Sequence, residues 1–146
     1  MTTTATNPRL DAQEKALCRA INTFRAENGK APLKVSVALA RAAEWMSHDM
    51  ADHDNFDHVD SRGRDFDTRM EAFGYHPPTK AENIAAGTSS AAAALAQWKA
   101  SPPHRAILLK TQLKVMGVGR ARNVNSEFDW YWTADFGGTV TRTMPI

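Results

Sequence analysis

Residues 115–136 have the sequence VMGVGRARNVNSEFDWYWTADF, and this stretch decides the fold of the chain. The apolar run 115–121 and the aromatic-rich run 128–136 have the composition of β-strands. Between them, residues 123–126 (NVNS) have the composition of a turn. We therefore predict that the two runs form an antiparallel hairpin near the end of the chain.

The sequence before the hairpin is mainly helical. Apolar residues recur at helical spacing from residue 10 onward, and Asp11 with Glu14 forms a capping-box pattern. The short run 81–85 could form a strand or a turn. This order of elements predicts an α+β layered domain rather than a parallel α/β sheet. In chain order, the predicted helices cover residues 11–27, 36–52, 65–73 and 91–100, with a short turn of helix through residue 108.

The composition is that of one ordinary globular domain. The chain has 146 residues, of which 42% are hydrophobic, and this is enough for one core without metal or disulfide staples. A net charge of +2 gives no electrostatic case for a nucleic-acid partner, and no apolar run approaches membrane-spanning length. We expect residues 1–9 to be a flexible segment and residues 10–146 to form a single monomeric domain.

Three residues stand out as a candidate functional site: His58, Glu82 and His104. His58 lies between an aromatic residue and flanking carboxylates, and His104 follows a rigid Pro-Pro break. Glu82 lies in a nearly uncharged stretch, where a carboxylate must be partnered or lie at the mouth of a site. Spacing alone leaves open whether the three converge, because two loop histidines and one capping glutamate fit the same residues.

The other noticeable residues have structural explanations. Cys18 is the single cysteine, so no intrachain disulfide is possible, and its apolar helical surroundings predict a buried, inert thiol. Gly117 and Gly119 are interpreted as positions where a neighbouring backbone packs closely. We assign His48 and His76 to the surface, and His53 either to the surface or to the cap at the end of the second helix. The core residues are expected to include Phe66, Met70, Phe73, Tyr75, Trp98, Trp130 and Trp132.

Short motifs spread along almost the whole chain occur in the order typical of one protein family. They are NTFR (22–25) with PL (32–33), LARAA (39–43), FDH (56–58), SRGR (61–64), ENIAAG (82–87), SPPHR (101–105), GVG (117–119), and YW (131–132) with DFG (135–137). Each motif is weak alone, but the ordered set resembles the CAP superfamily of cysteine-rich secretory, antigen 5 and pathogenesis-related 1 proteins. The likeness is to its short bacterial branch, which lacks disulfides.

The resemblance implies an α-β-α sandwich, in which a small antiparallel sheet lies between helix layers. It also implies a cleft in which His58 and His104 match the two family histidines and Glu82 matches one family glutamate. The position of the second family glutamate holds Ser101, so this cleft would have one negative charge fewer. Asn83 follows Glu82 in the motif and is expected at the same cleft.

Three functions remain open for such a cleft. As a ligand- or partner-binding module, it would hold Zn²⁺ or another divalent ion with low affinity through its two imidazoles. A metal-dependent, peptidase-like hydrolase would use Glu82 as its base, since Ser61 and Ser101 are interpreted as caps and not as nucleophiles. Lipid or sterol binding is the third class. We expect a binding module rather than an enzyme, with an extracellular ligand, lipid or protein as its partner.

The start of the chain, MTTTAT (residues 1–6), has neither the basic region nor the apolar core of a signal peptide. Either the protein is cytoplasmic, or the chain is a mature form from which an export signal has been removed. Because the resembling family is mostly exported, we expect a secreted or cell-envelope protein.

Overall fold

The computed structural model describes residues 7–146, so most of the expected flexible segment 1–9 lies outside the described residues. The described chain contains five helices and five strands. The helices are α1 (Ala12–Glu27), α2 (Val37–Asp52), α3 (Phe66–Ala72), α4 (Ala91–Ala100) and α5 (Pro102–Leu108). The strands are β1 (Lys34–Ser36), β2 (Lys80–Ala86), β3 (Val115–Arg122), β4 (Trp130–Gly137) and β5 (Thr143–Met144).

The strands form one sheet in the order β2-β4-β3-β1-β5. The predicted hairpin is confirmed, because β3 and β4 pair antiparallel with Val118 opposite Ala134. β2 is a strand and not a turn, and it pairs antiparallel with β4 along its whole length. The sheet is mixed rather than wholly antiparallel, because β1 joins β3 in parallel. The sequence did not predict β1 and β5, which have only three and two residues.

Helices cover both faces of the sheet and complete an α-β-α sandwich. Successive residues of a strand point to opposite faces. In β3, Met116 and Val118 belong to the core cluster that includes residues of α1 and α4, whereas Gly117 and Gly119 face α2. A Cβ atom at Gly117 would lie 2.1 Å from the backbone nitrogen of Ala40. The missing side chains let α2 lie directly on the sheet, which confirms the prediction of close backbone packing.

The predicted helix starts are confirmed at four N-cap residues. Asp11, Ser36, Asp65 and Ser90 each accept a hydrogen bond from a backbone N–H in the first turn. At α1 the carboxylate of Glu14 also accepts from the backbone N–H of Asp11 at 2.7 Å, which completes the capping box. Within residues 7–146, no helix is long and apolar enough to cross a membrane.

The hairpin differs from its prediction at one boundary. β4 begins at Trp130, two residues later than expected, because Asp129 has a left-handed backbone conformation with φ 69° that ends the turn. Trp130 is half-buried, and the guanidinium of Arg120 lies 4.6 Å from the centroid of its ring. Its assignment to the core is therefore wrong, whereas Trp98 and Trp132 are buried as predicted.

The remaining assignments agree with the structure in most positions. Cys18 is buried, and burial raises the pKa of its thiol to about 12, so it stays protonated and inert. His48, His53 and His76 are exposed. Of the aromatic segment around α3, Met70 and Tyr75 are buried and Phe66 and Phe73 are half-buried.

Candidate functional site

The candidate site is a cleft of about 410 Å³ beside β2, which is the edge strand of the sheet next to β4. The loop after α2 forms one wall, and the end of α4 with the start of α5 forms the other. Segments that are distant in the sequence therefore share one concave surface. The lining residues are Phe56, Asp57, His58, Ile84, Gln97, Trp98, Ser101 and His104.

Two side chains of α4 cover the free edge of β2. The indole Nε1 of Trp98 donates to the carbonyl oxygen of Ile84 at 2.9 Å, and the amide Nε2 of Gln97 donates to that of Ala86 at 3.1 Å. These bonds satisfy carbonyl groups on the side of β2 that has no neighbouring strand. They also fix α4 against β2, so this side of the cleft has a defined shape.

His104 is held from two directions at the start of α5. Its Nδ1 lies 2.8 Å from the hydroxyl oxygen of Ser101, and its carbonyl oxygen accepts a hydrogen bond from the side-chain amide of Asn83 at 3.0 Å. Burial and the nearby charge of His58 both lower the pKa of His104. The imidazole is therefore neutral at neutral pH, the form in which it can accept a proton or bind a metal ion.

His58 lies on the opposite wall, with one ring nitrogen inside the protein. Its side chain is 44% exposed, yet its Nδ1 is buried and has no hydrogen-bond partner among the described residues. This nitrogen lies 3.7 Å from Oε1 of Glu82, which is also without a partner. The backbone carbonyl of His58 accepts a hydrogen bond from Nη2 of Arg69 at 2.5 Å. The loop is thus fixed while the imidazole faces the cleft.

A fully buried guanidinium lies beneath this wall. Nη1 of Arg69 donates to Oε2 of Glu82 at 2.7 Å, and its Nε donates to Oδ2 of Asp60 at 3.2 Å. The three side chains are 0% exposed. Burial alone lowers the pKa of Arg69, but the charges of Glu82 and Asp135 raise it above its ordinary value. The network keeps its ionic form and holds Glu82 beside His58.

Asp135 adds a second carboxyl group next to Glu82. The two residues are directly opposite in the β2–β4 pairing. Asp135 is buried, and its two side-chain oxygens have no hydrogen-bond partner within the described chain. Burial, and then the charge of Glu82, hold the pKa of Asp135 well above its ordinary value. Asp135 therefore stays neutral over a wider pH range than an ordinary aspartate.

The structure places the predicted site residues at different depths. His58, His104 and Ser101 line the cleft. Glu82 is buried directly behind His58. Asn83 is buried and does not line the cleft, but its amide holds the backbone of His104.

The buried network of Arg69, Asp60 and Asp135 was not predicted from the sequence. Asp135 lies in the DFG motif and Arg69 lies in the predicted third helix, but nothing in their local sequence indicates burial. The pairing of β2 with β4 is the signal that could have revealed the network. This register places Glu82 opposite Asp135, and two adjacent buried carboxyl groups require a cation or a shared proton nearby.

The arrangement offers two imidazoles and one hydroxyl, together with the side chains of Asp57 and Gln97, between the apolar surfaces of Phe56, Ile84 and Trp98. Within residues 7–146, no group of three or more His, Cys, Asp or Glu side chains is arranged to hold a metal ion. A metal ion at the cleft would therefore have at most two nitrogen ligands from the protein, with its other positions filled by water or by a ligand.

The sandwich of helices and sheet also occurs in solved structures. An extracellular protein containing an SCP domain from Bacillus anthracis superposes with a TM-score of 0.76 at 27% identity, over 85% of this chain and 39% of that one. An outer surface protein from Borrelia burgdorferi has a TM-score of 0.77 at 19% identity, over 90% of this chain and 98% of that one. At 19% identity, the similarity to the Borrelia burgdorferi protein shows a shared fold and nothing more.

The sequence comparison defines the family. Residues 18–136 match the family described as "CAP: Cysteine-rich secretory protein family", and the chain belongs to this family. A curated relative, the "Uncharacterized membrane protein YlbC" of Bacillus subtilis, is 29% identical over 123 residues, which are 84% of this chain and 34% of the relative. The chain thus spans about a third of the length of that relative.

Proposed function

We propose that this domain is a ligand-binding module whose cleft holds its ligand between the imidazoles of His58 and His104. The observation that carries the proposal is the convergence of the two histidines and Ser101 on one cleft with apolar walls. A few polar groups on apolar walls are typical of sites for small ligands or short segments of a partner.

The same two imidazoles suit a weakly held divalent ion such as Zn²⁺. His58 and His104 would supply the nitrogen ligands, and Glu82 would hold the His58 ring from behind. Nδ1 of His58 and Oε1 of Glu82 fit this role, because neither has a hydrogen-bond partner in the described chain and they face each other at 3.7 Å, slightly beyond hydrogen-bond distance. When bound, the ion would supply a positive centre for an oxygen or nitrogen of the ligand. Low affinity follows from having only two protein nitrogens.

The geometry favours binding over hydrolysis. One oxygen of Glu82 is engaged by Arg69 at 2.7 Å, and its side chain is 0% exposed, so the carboxylate does not reach the cleft as a catalytic base must. Ser101 and His104 are in hydrogen-bond contact, but within the described chain no hydrogen bond orients the second nitrogen of the imidazole. A serine nucleophile needs that third group to hold its base in place.

We infer that the protein acts outside the cytoplasm. The similar SCP-domain structure belongs to an extracellular protein, and the curated relative is named as a membrane protein. Fractionation of the source cells with an antibody against this domain tests the inference. Detection in the medium or envelope supports it, and detection confined to the cytoplasm contradicts it.

Calorimetric titration with zinc tests the role of the two imidazoles. We expect weak binding by the wild type, and a loss of affinity of at least about tenfold in His58→Ala and in His104→Ala. His76→Ala removes an exposed histidine that does not line the cleft, and it serves as the matched control. Equal zinc binding by the wild type and both cleft variants would exclude this site.

A further inference from the structure

Two exposed phenylalanines adjoin the cleft and continue its wall. Phe56 is 43% exposed and Phe128 is 38% exposed, and their rings meet edge to face with centroids 5.6 Å apart. Both rings pack on buried Tyr131, at 6.5 and 6.3 Å. Phe56 also lines the cleft. A contiguous exposed apolar surface of this kind is typical of an interaction site; we call Phe56 and Phe128 the aromatic rim.

The aromatic rim is held in place by its two supporting loops. Oδ1 of Asp54, in the loop after α2, accepts hydrogen bonds from the backbone N–H of Glu127 at 2.9 Å and from the hydroxyl of Tyr131 at 3.4 Å. Asp54 and Asp129 both adopt left-handed backbone conformations, with φ 50° and 69°. Such conformations in residues other than glycine persist where the surrounding contacts hold them. A partner would therefore meet a surface that is already ordered.

The surface around the aromatic rim is acidic. Residues 52–59 and 123–129 contain no Lys or Arg, although the whole chain has a net charge of +2. Asp54, Asp57 and Glu127 are exposed, and in the described part of the chain none of them is in an ion pair. Arg122 directly precedes the second segment, but its guanidinium is paired with Asp129 at 2.9 Å. The two segments are thus negative in a chain that is positive as a whole, which indicates a partner with positive charge.

We propose that the cleft and the aromatic rim together bind a basic peptide segment of a partner protein. An apolar side chain of the peptide enters the cleft, and its Lys or Arg side chains lie near Asp57 and Glu127 and against the rings of Phe56 and Phe128. The acidic surroundings oppose an anionic lipid surface and an acidic peptide by like-charge repulsion. This inference rests on the proposed binding function and names the class of ligand.

An array of octapeptides tests the proposal directly. One half of the array alternates Lys or Arg with Leu or Phe, and the other half has Asp or Glu in place of every basic residue. We expect the labelled protein to bind members of the basic half only. Fluorescence anisotropy with the best basic peptide should then show weaker binding as the salt concentration rises from about 0.05 M to about 0.5 M.

Two variants separate the apolar contribution from the charged one. Phe128→Ser should weaken binding of that peptide at least about tenfold, because it removes half of the aromatic rim. Asp57→Asn with Glu127→Gln should weaken it about threefold to tenfold at low salt and flatten the salt dependence. Val140→Ser, an exposed apolar residue beyond the far end of β4, and Glu71→Gln, an exposed acid on α3, should leave binding unchanged.

Several results would overturn the inference. They are equal binding of the two halves of the array, no binding to either half, or peptide binding that Phe128→Ser leaves intact. Co-sedimentation with phosphatidylglycerol vesicles would instead assign the surface to a lipid, and a dimer abolished by Phe128→Ser would assign it to a second copy of the chain. Because Phe128 is outside the cleft, failure of these peptide tests with histidine-dependent zinc binding intact would leave the proposed function standing.

Discussion

Replacement of the buried Arg69 by methionine should strongly destabilise the domain. Arg69→Met keeps most of the apolar volume but removes the guanidinium that binds Glu82 at 2.7 Å and Asp60 at 3.2 Å. Asp60 keeps other partners, because the side chain of Arg64 bonds to it at 2.9 Å. Glu82 loses its only cation and keeps only the neutral carboxyl group of Asp135 beside it, with 0% of its side chain exposed.

The magnitude follows from leaving a buried charge without its partner. Removal of one member of a buried ion pair costs about 3–5 kcal/mol of unfolding free energy. For a chain of this length, about 1 kcal/mol corresponds to a change of about 3 °C in Tm, so the midpoint should fall by about 10–15 °C. Arg64→Met is the matched control, because Asp60 then retains Arg69, and it should cost only about 1 kcal/mol.

Urea and thermal unfolding of Arg69→Met, Arg64→Met and the double variant Arg69→Met/Glu82→Gln provide the assay. The double variant removes the uncompensated charge and should be more stable than Arg69→Met alone. Two results would refute the reasoning: equal losses of stability in the two arginine variants, or no recovery in the double variant.

Three further predictions concern the sheet and the cleft. Gly117→Ala places a Cβ atom 2.1 Å from a backbone nitrogen of α2, and urea unfolding should show a loss of about 2–3 kcal/mol; an unchanged midpoint would contradict this packing. Because burial and Glu82 raise the pKa of Asp135, its contribution to stability is fully present below pH 3.8 and declines as the pH rises. Asp135→Asn should therefore lose less stability between about pH 4 and pH 7 than the wild type, and identical profiles would argue against a neutral Asp135. Because burial and the charge of His58 lower the pKa of His104, NMR should find it titrating below 6.5 and at a higher pH in His58→Ala, whereas a wild-type value at or above 6.5 would disagree.

Local sequence signals predicted the helices and the hairpin because those elements depend on neighbouring residues. The capping box of Asp11 and Glu14 is complete within one helical turn. β1 was not predicted, since a three-residue strand is recognisable only through its parallel partner β3, which follows much later in the chain. The late start of β4 depends on the conformation of Asp129, which the strand-like composition before Trp130 does not reveal.

The candidate site was predictable at its surface and not in its interior. His58 and His104 could be selected by the motifs around them, because each motif presents one imidazole from a rigid turn of the chain. Arg69 and Asp135 become connected to Glu82 only through the β2–β4 register and the docking of α3. Long-range pairing of this kind is set by tertiary packing, for which single-sequence periodicity has no signal.

The covered edge of β2 limits strand-to-strand aggregation between copies of this domain. An uncovered edge strand presents backbone donors and acceptors on which a strand of another molecule can grow, and repetition of that pairing gives fibres. Here Trp98 and Gln97 occupy the carbonyls of Ile84 and Ala86, so one end of the sheet is closed to such growth. Copies of this domain can therefore accumulate at high density without pairing strand to strand through the edge of β2.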